Sequence, residues 1–324
     1  MKVNYQNNRD ISFNGFYDSK ALKKCLEFAA NNGTLFAATT SLALSGIRPL
    51  AILATPDADK KNKKVACAKS IVSTLNGFLI TLACSRPLSK AITKIDKNPE
   101  KYLNNETISK LKEVENDISK SKAYQMTTQL FKLGLGLLIA VPKAMLTAFG
   151  TPYMLELFDI EKNKTNEFDA SKMISFQGKE KLPSKIGKII NESKKIQDFA
   201  VKNKDSNYPL HIISATDTLS TVAFVQQVSK SKKLEEKDKK PLIYNSIIST
   251  FLSIASTYII DALTKKHTDK FINNFISKNK NDLKLSKYIE GIKVAKPIAI
   301  AGIVYYIAIP IISTFLADKF TIKK

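Results

Sequence analysis

The chain has 324 residues, of which 44% are hydrophobic, and a formal net charge of +22. This apolar content excludes wholesale disorder, and the length allows two domains. Lysine supplies nearly all of the positive charge, since Arg9, Arg48 and Arg86 are the only arginines. Lysine lacks the planar fork that reads bases, so the composition favours attraction to anionic lipid and disfavours specific nucleic-acid recognition. A lysine coat that only keeps the protein soluble is an equally acceptable interpretation.

Cysteine and histidine are too sparse to predict a metal centre or a disulfide framework. Cys25, Cys67 and Cys84 form no close pairs in the sequence, and His211 and His267 are the only histidines. We therefore expect no metal and no cofactor. Neither histidine has a nucleophile at motif spacing, and the sequence has no phosphate-binding glycine loop and no nucleophile elbow. These observations predict that the protein is not an enzyme.

The first half of the chain, residues 1–160, alternates charged and apolar stretches. In order, these are the tag ISFNG at 11–15, a basic amphipathic run from Ser19, apolar segments at 28–47 and 70–85 around a lysine-rich loop at 57–64, and a third apolar segment containing GLGLLIAVP at 134–142. The spacing of apolar residues is helical, and no strict alternation with turn dipeptides favours a sheet. The sequence therefore predicts an all-α fold.

The second half, residues 161–324, repeats this plan in the same order. The recurring pairs are ISFNG and ISFQG, EFAANN and DFAVKN, ATTSL and ATDTL, SIVST and SIIST, and GLGLLIAVP and GIVYYIAIP. Each match is weak alone, but a shared order is hard to obtain by chance. We interpret the chain as an internal duplication into two tandem units, each with three apolar helices and basic amphipathic helices. Coincidence among apolar helices of low diversity is the alternative.

Uncharged length separates membrane helices from the buried helices of a soluble protein. A spanning helix needs about 20 mostly apolar residues, and the segments at 28–47, 241–260 and 297–317 reach this length without a charge. The other three segments are weaker candidates, because 70–85 is short and the remaining two carry charged residues, namely Lys132, Lys143 and Asp217. This pattern predicts that the two units are embedded in a membrane.

Two locations remain open at this point. A membrane protein would lie in the inner (cytoplasmic) membrane if its source is a bacterium, with the lipid bilayer and its anionic lipids as the partner. Lysine and arginine, however, divide evenly between the two sides of a six-crossing arrangement, whereas cytoplasmic loops usually carry more. The alternative is a soluble or peripheral cytoplasmic protein that binds anionic membrane or another polyanion through lysine-rich faces. This alternative predicts that residues 297–317 form a central helix wrapped on all sides.

The two proline motifs mark a candidate binding site. Three crossings per unit would invert the second unit, which is the plan of many secondary transporters, so we expect a transporter or channel-like protein. Such proteins bind where corresponding helices break. The corresponding residues here are Gly134, Leu138 and Pro142 in the first unit and Gly302, Tyr306 and Pro310 in the second. Each proline frees the carbonyl four residues earlier, although prolines that only shape packing are the alternative.

Asp217 and Lys143 are charges inside apolar segments. Asp217 stands where the first unit has Thr40, and Lys143 stands where the second has Ile311. An unpaired charge in the middle of a bilayer costs about 2.5–3.5 kcal/mol, so we predict that these two side chains form a buried pair between the units. Alternatively, Asp217 caps a helix that begins at Thr218.

Overall fold

The computed structural model describes residues 17–112, 117–158, 182–232 and 234–322, and every regular element within these ranges is helical. The predicted all-α class is therefore confirmed. The tags ISFNG and ISFQG lie outside the described residues.

The described residues form twelve α-helices. In chain order these are α1 (Lys20–Asn31), α2 (Gly33–Ala43), α3 (Ile47–Leu53), α4 (Lys60–Lys97), α5 (Asn105–Leu111), α6 (Lys122–Phe158), α7 (Leu182–Glu192), α8 (Lys194–Asn203), α9 (Tyr208–Lys230), α10 (Glu236–Lys278), α11 (Leu285–Ile303) and α12 (Ile309–Ile322). A π-helical turn, Val304–Ala308, joins α11 to α12. Short 3-10 turns lie at Pro99–Lys101 and Ile118–Lys120.

The long helices extend well beyond the apolar segments that predicted them. Helix α4 begins inside the lysine-rich loop, because the Asp59 side chain accepts hydrogen bonds from the backbone N–H groups of Lys61 and Asn62, at 2.8 and 3.1 Å. Such a cap satisfies donors that the first turn leaves open. Lysine also has a high helix propensity, so the charged flanks continue the helix instead of ending it.

Six apolar traverses form the bundle. They are α4, α6, α9 and α10, together with the bent pairs α2–α3, with an angle of 47°, and α11–α12, with an angle of 46°. At one end of the bundle, here called the loop end, Lys61 and Asp238 form an ion pair of 2.9 Å between the starts of α4 and α10. The opposite end, here called the platform end, carries α1, α5, α7 and α8.

The platform end contains the largest apolar core. Ile95, Leu111 and Ile190 are completely buried there, and α7 approaches so closely that a Cβ at Gly187 would lie 2.5 Å from the Tyr102 carbonyl oxygen. The amphipathic runs predicted from the sequence thus pack against the ends of the long helices. They form a cap on the bundle and leave its sides uncovered.

The two halves of the chain run in the same direction. Helices α6 and α9 are parallel, because Gly136 lies against Thr216 while Ala144 packs with Phe224 further along both helices. The Lys61–Asp238 ion pair likewise places both lysine-rich loops at the loop end. The inverted arrangement expected from three crossings per unit is therefore wrong for this fold. The described helices of each half start at the platform end and make three traverses in the same order.

Candidate functional site: a cationic cavity inside the bundle

A cavity of about 250 Å³ lies at the centre of the six traverses. Its lining along α6 runs from Leu133 to Thr147, which corresponds to about 21 Å of helix. Serine and threonine are the commonest lining residues, and the charged ones are Arg48, Lys69, Lys143 and Asp217. An interior space lined with hydroxyl groups and charges is suited to a polar ligand.

Arg48 is held rigidly at the wall of this cavity. Its side chain is 3% exposed, its Nη1 donates to the Tyr305 carbonyl oxygen at 2.7 Å, and its Nη2 donates to Ser249 Oγ at 3.3 Å. The guanidinium also lies 3.9 Å from the centre of the Tyr305 ring. No carboxylate of the described residues comes within 4.0 Å of Arg48 to balance its charge. The break between α2 and α3 brings Arg48 inward from the end of the first apolar segment.

Lys69 lies beside Arg48 on α4. Its Nζ donates to Ser246 Oγ at 2.5 Å and lies 4.7 Å from the centre of the Phe224 ring. The positive charges of Arg48 and Lys143 both act on it. Three cations that repel one another therefore share one interior space, which destabilises the empty protein unless an anion or water compensates.

Lys143 and Asp217 line the same cavity, and each acts electrostatically on the other. The two charged residues identified from the sequence therefore line the same cavity. They do not form an ion pair within 4.0 Å, and Lys143 Nζ makes no hydrogen bond to any other described residue. Asp217 lies well inside α9, so the alternative in which it caps a helix at Thr218 is wrong.

The two proline motifs lie in different environments. Gly302 and Tyr306 line the cavity, and Pro310 is buried directly after the π-helical turn. Proline has no N–H group, and here Ile309 N–H instead bonds to the Val304 carbonyl, which widens the turn where the helix bends.

In the first unit, α6 continues through Pro142 without a break. Leu138 is 76% exposed, and a Cβ at Gly134 would meet nothing within 4 Å. The structure therefore brings Gly302 and Tyr306 to the site and leaves Gly134 and Leu138 on the outside of the bundle.

Arg48 and Lys69 were missed because the search for uncharged runs placed them just outside the runs. Arg48 follows the segment 28–47 by one residue, and Lys69 precedes the segment 70–85 by one residue. A charged residue at the edge of an apolar segment is usually interpreted as the end of the helix. A bend in the chain or a longer helix can nevertheless place that residue in the interior. The scarcity of arginine was the available signal for Arg48.

A second set of buried charged residues lies next to the cavity, on the side of the platform end. Glu290, which is 2% exposed, faces Lys132 Nζ at 3.7 Å and Lys287 Nζ at 2.9 Å, and Gln129 Nε2 donates to its Oε1 at 2.6 Å. Lys287 also faces Asp96 at 3.8 Å. Two lysines and two carboxylates balance here, so this network, called the Glu290 network below, carries no excess charge.

No group of histidine, cysteine, aspartate and glutamate suited to a metal ion occurs within the described ranges. No protein-family model, curated protein sequence or solved structure matches the chain. The class that fold and site define is thus a structural one, an all-α bundle of six apolar traverses around a cationic, hydroxyl-lined cavity.

Proposed function

We propose that this chain is an integral membrane protein whose central cavity holds a solute, as a transporter or channel-like protein does. The observation that carries the proposal is a belt of exposed apolar side chains around a polar interior. The most exposed of these side chains include Leu50, Leu79, Leu138, Leu157, Phe251, Ile259, Leu263 and Ile303. Such a large apolar surface is unusual on a soluble monomer and marks contact with membrane or another protein.

The height of the belt supports a bilayer as the partner. Exposed apolar residues run from Ile247 to Leu263 on α10 and from Leu138 to Leu157 on α6, spans of about 24 and 28 Å of helix. Hydrocarbon thickness is about 30 Å. Three helices, α4, α6 and α10, are long and apolar enough to cross, and the two bent pairs bring the number to five.

The charges at the height of the belt turn inward. Lys143 and Asp217 interrupt the apolar segments of α6 and α9, and both face the cavity. We propose that α9, which is not among those candidate spans, completes the bundle as a sixth crossing because it packs along α6 and shields its single acidic residue. Ionisable groups inside a membrane protein usually face a cavity in this way.

The last apolar segment favours the membrane over the soluble alternative. A soluble fold requires residues 297–317 to be wrapped on all sides, yet Ile303 is 60% exposed and Ile312 is 47% exposed. Among the candidate spans, the apolar window of α10 is only 17% buried. Lipid would cover these faces, whereas their exposure to water is unfavourable.

An internal duplication remains part of the proposal. The shared order of motifs and the shared order of traverses support it, with α2–α3 matching α9, α4 matching α10, and α6 matching α11–α12. Some transporter families contain parallel repeats, related by an axis along the membrane normal. The assignment of transport rests on architecture, which is a weaker basis than an identified ligand.

One observation favours the soluble or peripheral alternative. Helix α6 ends at the loop end, and α7 lies at the platform end, so the described helices on either side of residues 159–181 lie at opposite ends of the bundle. This segment contains ten charged residues. At about 2.5–3.5 kcal/mol for an aspartate or lysine at the centre of a membrane, a return through lipid is very costly. A protein outside the bilayer has no such cost.

Carbonate extraction and cysteine labelling together test the proposal on the full-length chain. An integral protein stays in the membrane pellet at alkaline pH. In a Cys25→Ser background, Lys60→Cys and Lys232→Cys at the loop end should label from one side, and Lys97→Cys at the platform end from the other. Release by carbonate, or labelling of all three positions from the same side, would support the peripheral alternative.

A further inference from the structure

We infer that the central cavity binds a small oxyanion with two negative charges, such as phosphate or a short dicarboxylate, through Arg48, Lys69 and Lys143. This inference rests on the proposed function only in taking the cavity as the solute site.

Charge balance is the first argument. The ionisable residues of the cavity are three bases, Arg48, Lys69 and Lys143, and one acid, Asp217, which gives a formal excess of two positive charges (3 − 1 = 2) when all four are ionised. Cations removed from water need a counter-charge or hydrogen-bond acceptors. A dianion in the cavity would supply both at once, whereas a cationic or neutral solute would leave the excess in place.

Unused donors are the second argument. The guanidinium of Arg48 has five N–H groups, and Tyr305 and Ser249 occupy two of its nitrogen atoms while fixing its plane. Lys143 keeps all three N–H groups of its ammonium free of described partners, and Lys69 commits one to Ser246. Oxyanions accept several short, charge-assisted hydrogen bonds from such groups.

Ser70 adds an independent sign of a missing polar partner. This residue lines the cavity and is 7% exposed, yet its Oγ has no hydrogen-bond partner among the described residues. Buried hydroxyl groups are normally paired, so an orphan at the wall of a cavity indicates a ligand or ordered water. Its position one residue after Lys69 places this hydroxyl beside the cationic wall.

The size of the cavity limits the ligand. About 250 Å³ lies below the 300–1,000 Å³ of typical drug-sized sites. A space of this volume accommodates phosphate or a four-carbon dicarboxylate. The oxyanion could also be the headgroup of a lipid such as a phosphatidic acid, and we assign the site to a free solute because the cations lie inside the bundle.

Gly77 acts as a positioning residue for Lys143. A Cβ at Gly77 would lie 2.8 Å from Lys143 Cε and 3.2 Å from its Nζ, so the glycine leaves the space in which the lysine side chain lies along α4. We therefore expect Gly77→Ala to displace the ammonium and weaken anion binding, with little effect on the charge of the cavity.

Calorimetric titration of the purified full-length protein in detergent tests the inference. The probes are inorganic phosphate, succinate and short-chain dihexanoyl phosphatidic acid, with choline as a cationic control. We expect phosphate or succinate to bind, and Lys143→Gln and Lys69→Gln each to weaken that binding tenfold or more. The matched control is Lys94→Gln, which removes an exposed lysine from the same helix as Lys69 and should leave the affinity unchanged.

Two further variants distinguish weaker binding from loss of folding. Lys143→Arg keeps the charge and should retain most of the affinity. Asp217→Asn raises the excess to three positive charges and should tighten binding at least threefold, an effect that an unfolded protein cannot give. Binding of phosphatidic acid alone, binding of choline alone, or equal effects of Lys143→Gln and Lys94→Gln would overturn the inference.

The two proposals can fail separately. A carbonate-resistant protein that binds neither phosphate nor succinate removes the anion site and leaves the membrane proposal intact. A protein released by carbonate that still binds phosphate through Lys143 removes the membrane proposal and leaves the anion site intact.

Discussion

The cavity and the Glu290 network both hold lysine side chains inside the bundle, but they balance their charges differently. In the Glu290 network, Lys132 and Lys287 face two carboxylates, and Lys132 also donates to the Ala30 carbonyl at 3.1 Å, where α1 ends. In the cavity, three basic residues share the lining with the single carboxylate of Asp217. A balanced network needs no further group, whereas an unbalanced one requires one. Buried charge indicates binding only where the protein leaves it uncompensated.

Disrupting the balanced region should produce the largest effect. Glu290→Gln removes the carboxylate that Lys132 and Lys287 share, so two lysines lose their main partner inside the bundle. We expect the free energy of unfolding to fall by about 3–5 kcal/mol, the usual cost of stranding a buried charge. Chemical denaturation in detergent measures it. Glu192→Gln, in an exposed pair with Lys188, is the control and should cost less than about 1 kcal/mol.

Close packing beside the same network should give the next largest effect. A Cβ at Gly291 would lie 2.1 Å from the Leu26 carbonyl oxygen, so Gly291→Ala should force α1 away from α11 and destabilise by about 1–3 kcal/mol. Gly134→Ala is the control, because nothing lies within 4 Å of its Cβ position, and its higher helix propensity should stabilise by about 0.5–1 kcal/mol. Equal thermal shifts for the two variants would contradict the close approach of α1 and α11.

Removing a cation from the cavity should leave the stability unchanged or raise it, whereas disrupting the Glu290 network lowers it. Lys69→Gln relieves repulsion from Arg48 and Lys143, so we expect an unchanged or slightly higher melting temperature without ligand, corresponding to less than about 1 kcal/mol. Added phosphate should stabilise the wild type more than this variant, since a ligand that binds only the folded state raises its stability. A loss as large as that of Glu290→Gln would show that Lys69 is a structural residue.

The smallest effect concerns Lys143 and Asp217. Their charges act on each other without contact within 4.0 Å, so we expect a coupling energy of about 0.5–1 kcal/mol, at the lower end for interacting residues. A double-mutant cycle of Lys143→Met and Asp217→Asn measures it. A coupling energy above about 3 kcal/mol would support the tight buried pair predicted from the sequence. Complete additivity would show that the two residues do not interact.

The sequence predicted the helices better than their arrangement. Apolar spacing located all six traverses and uncharged length marked three of them, because both properties are local to a segment. The inverted order was wrong because it assumed that the connection after each unit stays at one end of the bundle. The contacts of α6 with α9 show that these two helices run in the same direction, and the apolar pattern of one helix does not encode the direction of its neighbour.

The candidate site was predicted only in part, for a similar reason. Asp217 and Lys143 stood out because each interrupts an apolar run, and the fold brings both to one cavity. Arg48 reaches the same cavity only because the chain bends by 47° between α2 and α3. Pro142 and Pro310 read alike in sequence, yet only Pro310 follows a helix break, since the response of a helix to proline depends on the surrounding packing.

A crystal grown with selenate, a dianionic oxyanion with an anomalous signal, would test the central claim most directly. We predict an anomalous peak in the cavity with oxygen atoms at charge-assisted hydrogen-bond distance, about 2.7–2.9 Å, from Arg48, Lys69 or Lys143. No peak should occur at the Glu290 network, where the charges already balance. An empty cavity at saturating selenate, or a peak at the Glu290 network instead, would contradict the claim that uncompensated buried charge marks the binding site.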